Sequence, residues 1–102
     1  MRLAQARKAA DISQRELGIR LGMEPNTASG RMNHYEKGRH TPDYQTLKRI
    51  AEELGVPLAF FLSESDITAK LFCLIDKLNE KQQLDLIAGI EAIIPEADSP
   101  IT

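Results

Sequence analysis

Three glycines, Gly22, Gly38 and Gly55, each close a segment that opens on a helix-starting residue and carries apolar side chains at helical spacing. Glycine enters the left-handed conformation that ends helices without a Cβ penalty. This repeated start and stop confines the chain to a series of short helices. Ser13-Gln14-Arg15-Glu16 reads as a capping box, the Ser hydroxyl taking a backbone N–H and the Glu reaching back. Leu17 and Leu21 follow, and Gly22 ends that helix. A first helix, Leu3 to Ala10, precedes it. After Met23-Glu24, Pro25 suits the first position of a third helix running to Glu36 and closed by Gly38. Thr41-Pro42-Asp43 is a turn that caps a fourth helix, Tyr44 to Leu54, closed by Gly55. Pro57 to Leu62 gives a short apolar fifth helix. No stretch alternates apolar and polar residues at a period of two, so no strand is predicted.

Beyond Leu62, Ser63-Glu64-Ser65 reads as a hinge. Ile67, Leu71, Leu74, Ile75 and Leu78 then form one stripe of a sixth helix. Asn79 caps a seventh, with Leu84, Ile87, Ile90 and Ile94 on its stripe. Pro95 ends it, and residues 96–102 are expected to fray.

The net charge of -2 conceals a division. Residues 1–50 hold ten Lys and Arg against five acids, and residues 51–102 hold three Lys against ten acids. Such asymmetry points the first half, but not the second, toward a polyanion. One cysteine, Cys73, excludes an intramolecular disulfide and a cysteine-based zinc site. It falls within the apolar stretch Leu71 to Ile75, where a buried structural thiol is expected. Two histidines, His34 and His40, have no ligand-spaced partners and read as surface or turn residues. Neither a nucleophile–base pair nor a cofactor loop is visible, so no enzyme, metal or cofactor is expected. The longest apolar run, Val56 to Leu62, contains Pro57 and is far too short to span a membrane. With no secretory signal after Met1, these features lead to the expectation of a soluble, cytoplasmic protein.

Two helices joined by a turn near Gly22, within a basic unit of five, describe a helix-turn-helix. The residues Ser13-Gln14-x-x-Leu17-Gly18-x-x-Leu21-Gly22, Asn26-Thr27-Ala28-Ser29, Tyr35-Glu36-Lys37-Gly38-Arg39-x-x-Pro42 and Leu47-x-x-Ile50-Ala51-x-x-Leu54-Gly55-Val56-Pro57-Leu58 occur in that order. This ordered set resembles the Cro/repressor-type (XRE) helix-turn-helix family, over residues 3–62. The resemblance implies an all-α chain: a five-helix, lambda-repressor-like DNA-binding domain over residues 1–62. Two amphipathic helices over residues 63–102 follow it. Two departures stand out. Gly18 occupies a position where the family has Ala, either being small enough for a close helix crossing. The interval from Gly22 to Gly38 is about four residues longer than the family pattern, close to one extra turn in the third helix.

At about 100° per residue, Ala28, Met32 and Tyr35 share one face of the third helix, the expected core face. Opposite lie Asn26, Gly30, Asn33 and Lys37, with Ser29 beside them. Amides and a hydroxyl suit base edges in a major groove, where Asn can bond adenine bidentately. Gly30 allows close backbone approach. Asn26, Ser29, Gly30 and Asn33 are therefore the predicted base-reading set. Thr27, Arg31 and His34 fall on a flank better suited to phosphate than to bases. Gln14, at the start of the second helix, and Arg15, Lys37 and Arg39 complete the predicted phosphate contacts, which position without reading sequence.

The two C-terminal helices must each bury a stripe. Packing onto the first domain, packing onto one another and pairing with a second copy all satisfy that need. Dimerisation is the expectation carried forward, with Phe72, Leu74, Ile75, Leu86 and Ile90 as contacts. The chain is expected to be a dimeric transcriptional repressor binding double-stranded DNA. The alternative is an antitoxin or interaction module whose C-terminal helices bind a toxin or another protein antagonist.

Overall fold

The computed structural model describes residues 1–94 and consists, over that range, of seven α-helices: α1 (Leu3–Ala9), α2 (Gln14–Arg20), α3 (Pro25–Glu36), α4 (Tyr44–Leu54), α5 (Leu58–Leu62), α6 (Asp66–Asp76) and α7 (Glu80–Ile93). The frayed tail expected over residues 96–102 lies outside the described residues.

The three glycines act as the sequence predicts. Each has a positive φ: 91° at Gly22, 74° at Gly38 and 67° at Gly55. After α2, the Gly22 N–H donates to the Ile19 carbonyl at 2.9 Å and the Met23 N–H to that of Gly18 at 3.0 Å. The same pair of bonds follows α3, from Gly38 to Tyr35 and from Arg39 to His34. Carbonyls that a helix end leaves without partners are thereby satisfied. The starts are equally local. Ser13 Oγ accepts from the Glu16 N–H at 3.0 Å, and Asp43 Oδ1 from the Thr46 N–H at 2.8 Å. This bond holds the Asp43 carboxyl below its usual range. Only half of the predicted box at Ser13 forms, because the Glu16 carboxylate turns forward to Arg20 Nε at 3.1 Å. An i,i+4 ion pair competes there with the backward reach. The full reciprocal box is found instead at Asn79 and Gln82, opening α7.

A single core joins α1 to α5. Leu3, Leu17, Met32 and Ile50 are its largest fully enclosed side chains, with Phe60 and Phe61 closing one end. The α2–α3 crossing is its tightest point. A Cβ added to Gly18 would lie 2.7 Å from the Ala28 Cβ and 3.1 Å from its Cα and carbonyl oxygen. The expectation that Ala as well as Gly is small enough for this crossing is therefore corrected: the Ala28 methyl, with the α3 backbone close behind it, occupies the space a methyl at 18 would need. Gly18→Ala gains about 1 kcal/mol of helix propensity but forces an overpacked contact that costs about 1–3 kcal/mol. The expected outcome is a net loss of stability and a lower thermal midpoint, measured by calorimetry.

Charged residues tie the helices together. Arg49 of α4 donates to the carbonyls of Leu21 and Arg20 at 3.0 and 3.3 Å, placing a cation at the C-terminus of α2. Arg2 donates to the Ser63 carbonyl at 2.8 Å and to Asp66 Oδ1 at 2.7 Å. The segment Ser63-Glu64-Ser65, expected as a hinge, is thus bonded to Arg2 at the start of α1. Ser65 caps α6 by accepting from the Thr68 N–H.

The sixth helix also turns differently from its stripe. Ala69 is its buried residue, and Cys73, one turn on, is half-buried against the core. Ile67, Leu71 and Leu74, the most apolar positions, face outward. A small residue allows α6 to approach the α5 side closely, which the larger residues of the predicted stripe would prevent. None of the residues of α7 is buried. Gln83 Nε2 ties it to α6, donating to the Ile75 carbonyl at 3.0 Å. The result is an elongated molecule, 54 × 25 × 21 Å.

Candidate nucleic-acid interface

The third helix is anchored on one side and open on the other. Ala28 and Met32 are fully enclosed, and Tyr35 packs against the core. Asn26, Thr27, Ser29, Gly30 and Arg31 are exposed, as are Lys37 and Arg39 beyond the helix end. A Cβ at Gly30 would meet nothing within 4 Å. Ala28, Met32 and Tyr35 thus form the core face as expected, and Asn26, Gly30 and Lys37 of the expected outer face are exposed. Thr27 uses its hydroxyl locally, on the Glu24 carbonyl. Arg15 is exposed one residue into α2, and among the described residues Arg15, Arg31, Lys37 and Arg39 make no ion pair. Arg31 on α3, Lys37 and Arg39 just past its end and Arg15 at the start of α2 form a cationic rim to the helix-turn-helix.

Asn33 sits differently from its expected place directly opposite the core. Ser29, Asn33 and Glu36, at i, i+4 and i+7, form the flank of α3 that meets α1 and the start of α2, and Asn33 is half-buried there. Gln14 of α2 reaches across to this flank. Its Nε2 donates to Asn33 Oδ1 at 3.2 Å and to Glu36 Oε1 at 3.0 Å, and its Oε1 accepts from Ser29 Oγ at 3.4 Å. The Gln14 amide, expected to face a phosphate, is thus engaged within the protein.

Behind Gln14 stands an ion pair that no spacing in the sequence suggested. Arg7 of α1 grips Glu36 with two bonds, Nε to Oε2 at 2.6 Å and Nη2 to Oε1 at 3.2 Å, and its Nη1 donates to the Ile12 carbonyl at 2.9 Å. The side chains are only 12% and 7% exposed. Burial alone would raise the Glu36 carboxyl, but its bonds from Arg7 and Gln14 and the charges of Arg7 and Lys8 outweigh burial and hold it below the usual carboxylate range. On the other flank, the His34 and His40 rings stack with centroids 5.1 Å apart, closing the turn after α3. Among the described residues there is no group of His, Cys, Asp or Glu suited to a metal ion, and no helix is long and apolar enough to cross a membrane.

An open amide- and hydroxyl-bearing helix with a cationic rim is the surface by which helix-turn-helix proteins meet DNA. Residues 3–61 match the family model for helix-turn-helix proteins. Along nearly its whole length the chain is similar to the cryptic phage CTXphi transcriptional repressor RstR of Vibrio cholerae. The two are 29% identical over 103 aligned residues, covering 96% of this chain and 89% of that protein. A shorter similarity, 36% over 56 residues, joins it to multiprotein-bridging factor 1 of Candida albicans, covering 55% of this chain and 34% of that protein. The fold is similar to the crystal structure of the transcriptional regulator BswR, with a TM-score of 0.81 and 37% identity over 89% of this chain and 90% of the other.

Proposed function

Because the chain belongs to the XRE-type helix-turn-helix family of DNA-binding transcriptional regulators, which are not enzymes, we propose that it is a dimeric, cytoplasmic repressor that reads the major groove with α3. The observation that carries this reading is the outward presentation of Asn26, Ser29 and Gly30 on a helix whose opposite side is locked into the core by Ala28 and Met32. A helix held this way projects its polar side into the groove without bending or loosening the domain. Asn26, Ser29 and Asn33 contact base edges, and Gly30 lets the backbone come close. Arg15, Thr27, Arg31, Lys37, Arg39 and the start of α2 at Gln14 contact phosphates and set the register.

Dimerisation completes the reading. One such helix spans only a few base pairs, and a two-fold dimer places two of them on half-sites about 34 Å apart. Leu74, Leu86 and Ile90 are 49%, 38% and 44% exposed on α6 and α7, with Phe72 and Ile75 half-buried beside them. Apolar exposure on this scale along two helices favours a partner, and a second copy of the same surface provides one. The acidic balance of the C-terminal half suits a part held away from phosphates. Repression follows from occupying the operator and excluding polymerase.

Selection of bound duplexes from a random pool, followed by titration across a salt series, tests the reading. With contacts to about eight phosphates per dimer, the log–log slope of affinity against salt should be near -7. The selected site should be a palindrome with half-sites one helical turn apart. A flat salt response, or a pool that remains random, would remove the DNA reading.

A further inference from the structure

Hydrogen-bond polarity runs in one direction through the cluster behind α3. Arg7 has only donors and Glu36, ionised, only acceptors. A Gln amide beside that carboxylate must therefore turn its nitrogen, not its oxygen, toward Glu36, as the 3.0 Å contact from Gln14 Nε2 has it. The second hydrogen on the same nitrogen then needs an acceptor, and Asn33 Oδ1 at 3.2 Å supplies it. Ser29 Oγ donates to the Gln14 oxygen, so every polar atom of that amide is used. Reversing the Asn33 amide would set its N–H groups against those of Gln14. The charged pair thus fixes the orientation of an amide two links away.

From this chain of bonds we infer that Glu36, acting through Gln14, is a positioning residue. It holds Asn33 with its oxygen turned inward and its N–H groups toward the groove, so that Asn33 selects a keto-bearing base, guanine O6 or thymine O4, on the strand it faces. The inference rests on the reading of α3 as the base-reading helix, and it separates the two asparagines. Asn26 has no side-chain partner within the protein among the described residues and keeps both donor and acceptor for a bidentate adenine contact. Asn33 has its oxygen committed. It offers donors, which match the adjacent O6 and N7 acceptors of guanine and the O4 of thymine; they oppose the N4 amino group of cytosine, and on adenine they find N7 alone beside the opposing N6 amino group. No acceptor within the protein takes the Asn33 Nδ2 hydrogens among the described residues, and none of the buried side-chain polar atoms there lacks a partner. Those donors therefore reach solvent in the free protein and are available to a base edge.

Asn33→Asp tests this directly. Asp keeps an oxygen for Gln14 Nε2 but replaces the outward donor with an acceptor, and a thermal melt of the variant checks that the half-buried site keeps its fold. Duplex selections run in parallel on the wild type and Asn33→Asp should differ at one symmetric pair of positions. There the wild type favours guanine or thymine by about five- to tenfold, and the variant favours cytosine or adenine on the same strand. The preferences at the other positions should hold. Glu36→Gln supplies the second arm. A neutral amide at 36 can present either its oxygen or its nitrogen to Gln14, so the single polarity is lost and discrimination at that same pair should flatten. A merely structural role for Glu36 would instead weaken binding alike at every position. Wild-type selection of adenine or cytosine at the Asn33 position would overturn the inference, as would an unchanged preference in Asn33→Asp. Either result would leave the base-reading role of α3 standing, whereas the absence of any selected site would remove both.

Discussion

Arg7→Ala should destabilise the protein by about 1–3 kcal/mol, the cost of leaving a poorly solvated polar group without its partner. The Glu36 side chain is 7% exposed and receives two bonds from Arg7, at 2.6 and 3.2 Å, beside the one from Gln14 at 3.0 Å. With Arg7 gone, a carboxylate must either remain charged in a poorly solvated position or take up a proton. The Ile12 carbonyl loses its donor as well. Because small domains are stable by only about 5–15 kcal/mol, this single change removes a large share of the margin. Urea unfolding measures it, and the double variant Arg7→Ala/Glu36→Ala should lose less than the two single losses added together. The pH dependence carries the same signature. A carboxyl whose folded pKa is depressed contributes stability above its unfolded pKa and loses it as pH falls through the folded value. The Glu36 carboxyl is depressed, so the wild type should lose stability on acidification below about pH 4. An Arg7→Ala variant as stable as the wild type would show that the pair is incidental.

Leu74→Asp combined with Ile90→Asp should lower affinity for the selected operator by about 10²- to 10⁴-fold, the range by which linking two sites exceeds one. Light scattering should show the mass halved. Both side chains are nearly half exposed in the single chain, so the five-helix core should keep its thermal midpoint. Each half-site contact is then intact but alone. A wild type that is already monomeric, or a double variant that still binds the full site with wild-type affinity, would contradict the proposed dimer. A monomeric wild type would turn attention to a protein partner for α6 and α7.

The helices and the core face of α3 were legible in the sequence because the signals for them are local. Gly22, Gly38 and Gly55 stop helices through bonds to residues only three to five positions back, and Ala28, Met32 and Tyr35 share a face by periodicity alone. What could not be read depends on residues far apart in the chain. Arg7 and Glu36 are 29 positions apart, and Gln14 and Asn33 are 19 apart; no spacing rule joins them before the helices are packed. The requirement for glycine at position 18 is likewise a property of the crossing with Ala28, not of α2. The rotation of α6 onto Ala69 was hidden for a related reason. Apolar periodicity marks a face to be covered but does not say whether the same chain or another covers it. Here the small residue packs inward and the large ones remain outside. The inward turn of Gln14 shows the same limit. A polar residue at a helix start reads as available for phosphate until the partner flank of α3 is in place.

The central claim is that the outer side of α3 reads bases, and the affinity of Asn26→Ala for the selected operator compared with a random duplex at one salt concentration tests it most directly. Asn26 is exposed and distant from the core contacts, so its loss leaves the domain folded and the cationic rim unchanged. Affinity for the operator should fall by about 1–3 kcal/mol, discrimination should relax at the one position Asn26 faces, and affinity for the random duplex should stay the same. Equal affinities of the wild type and Asn26→Ala for the operator would contradict the claim, and so would an equal loss on both duplexes.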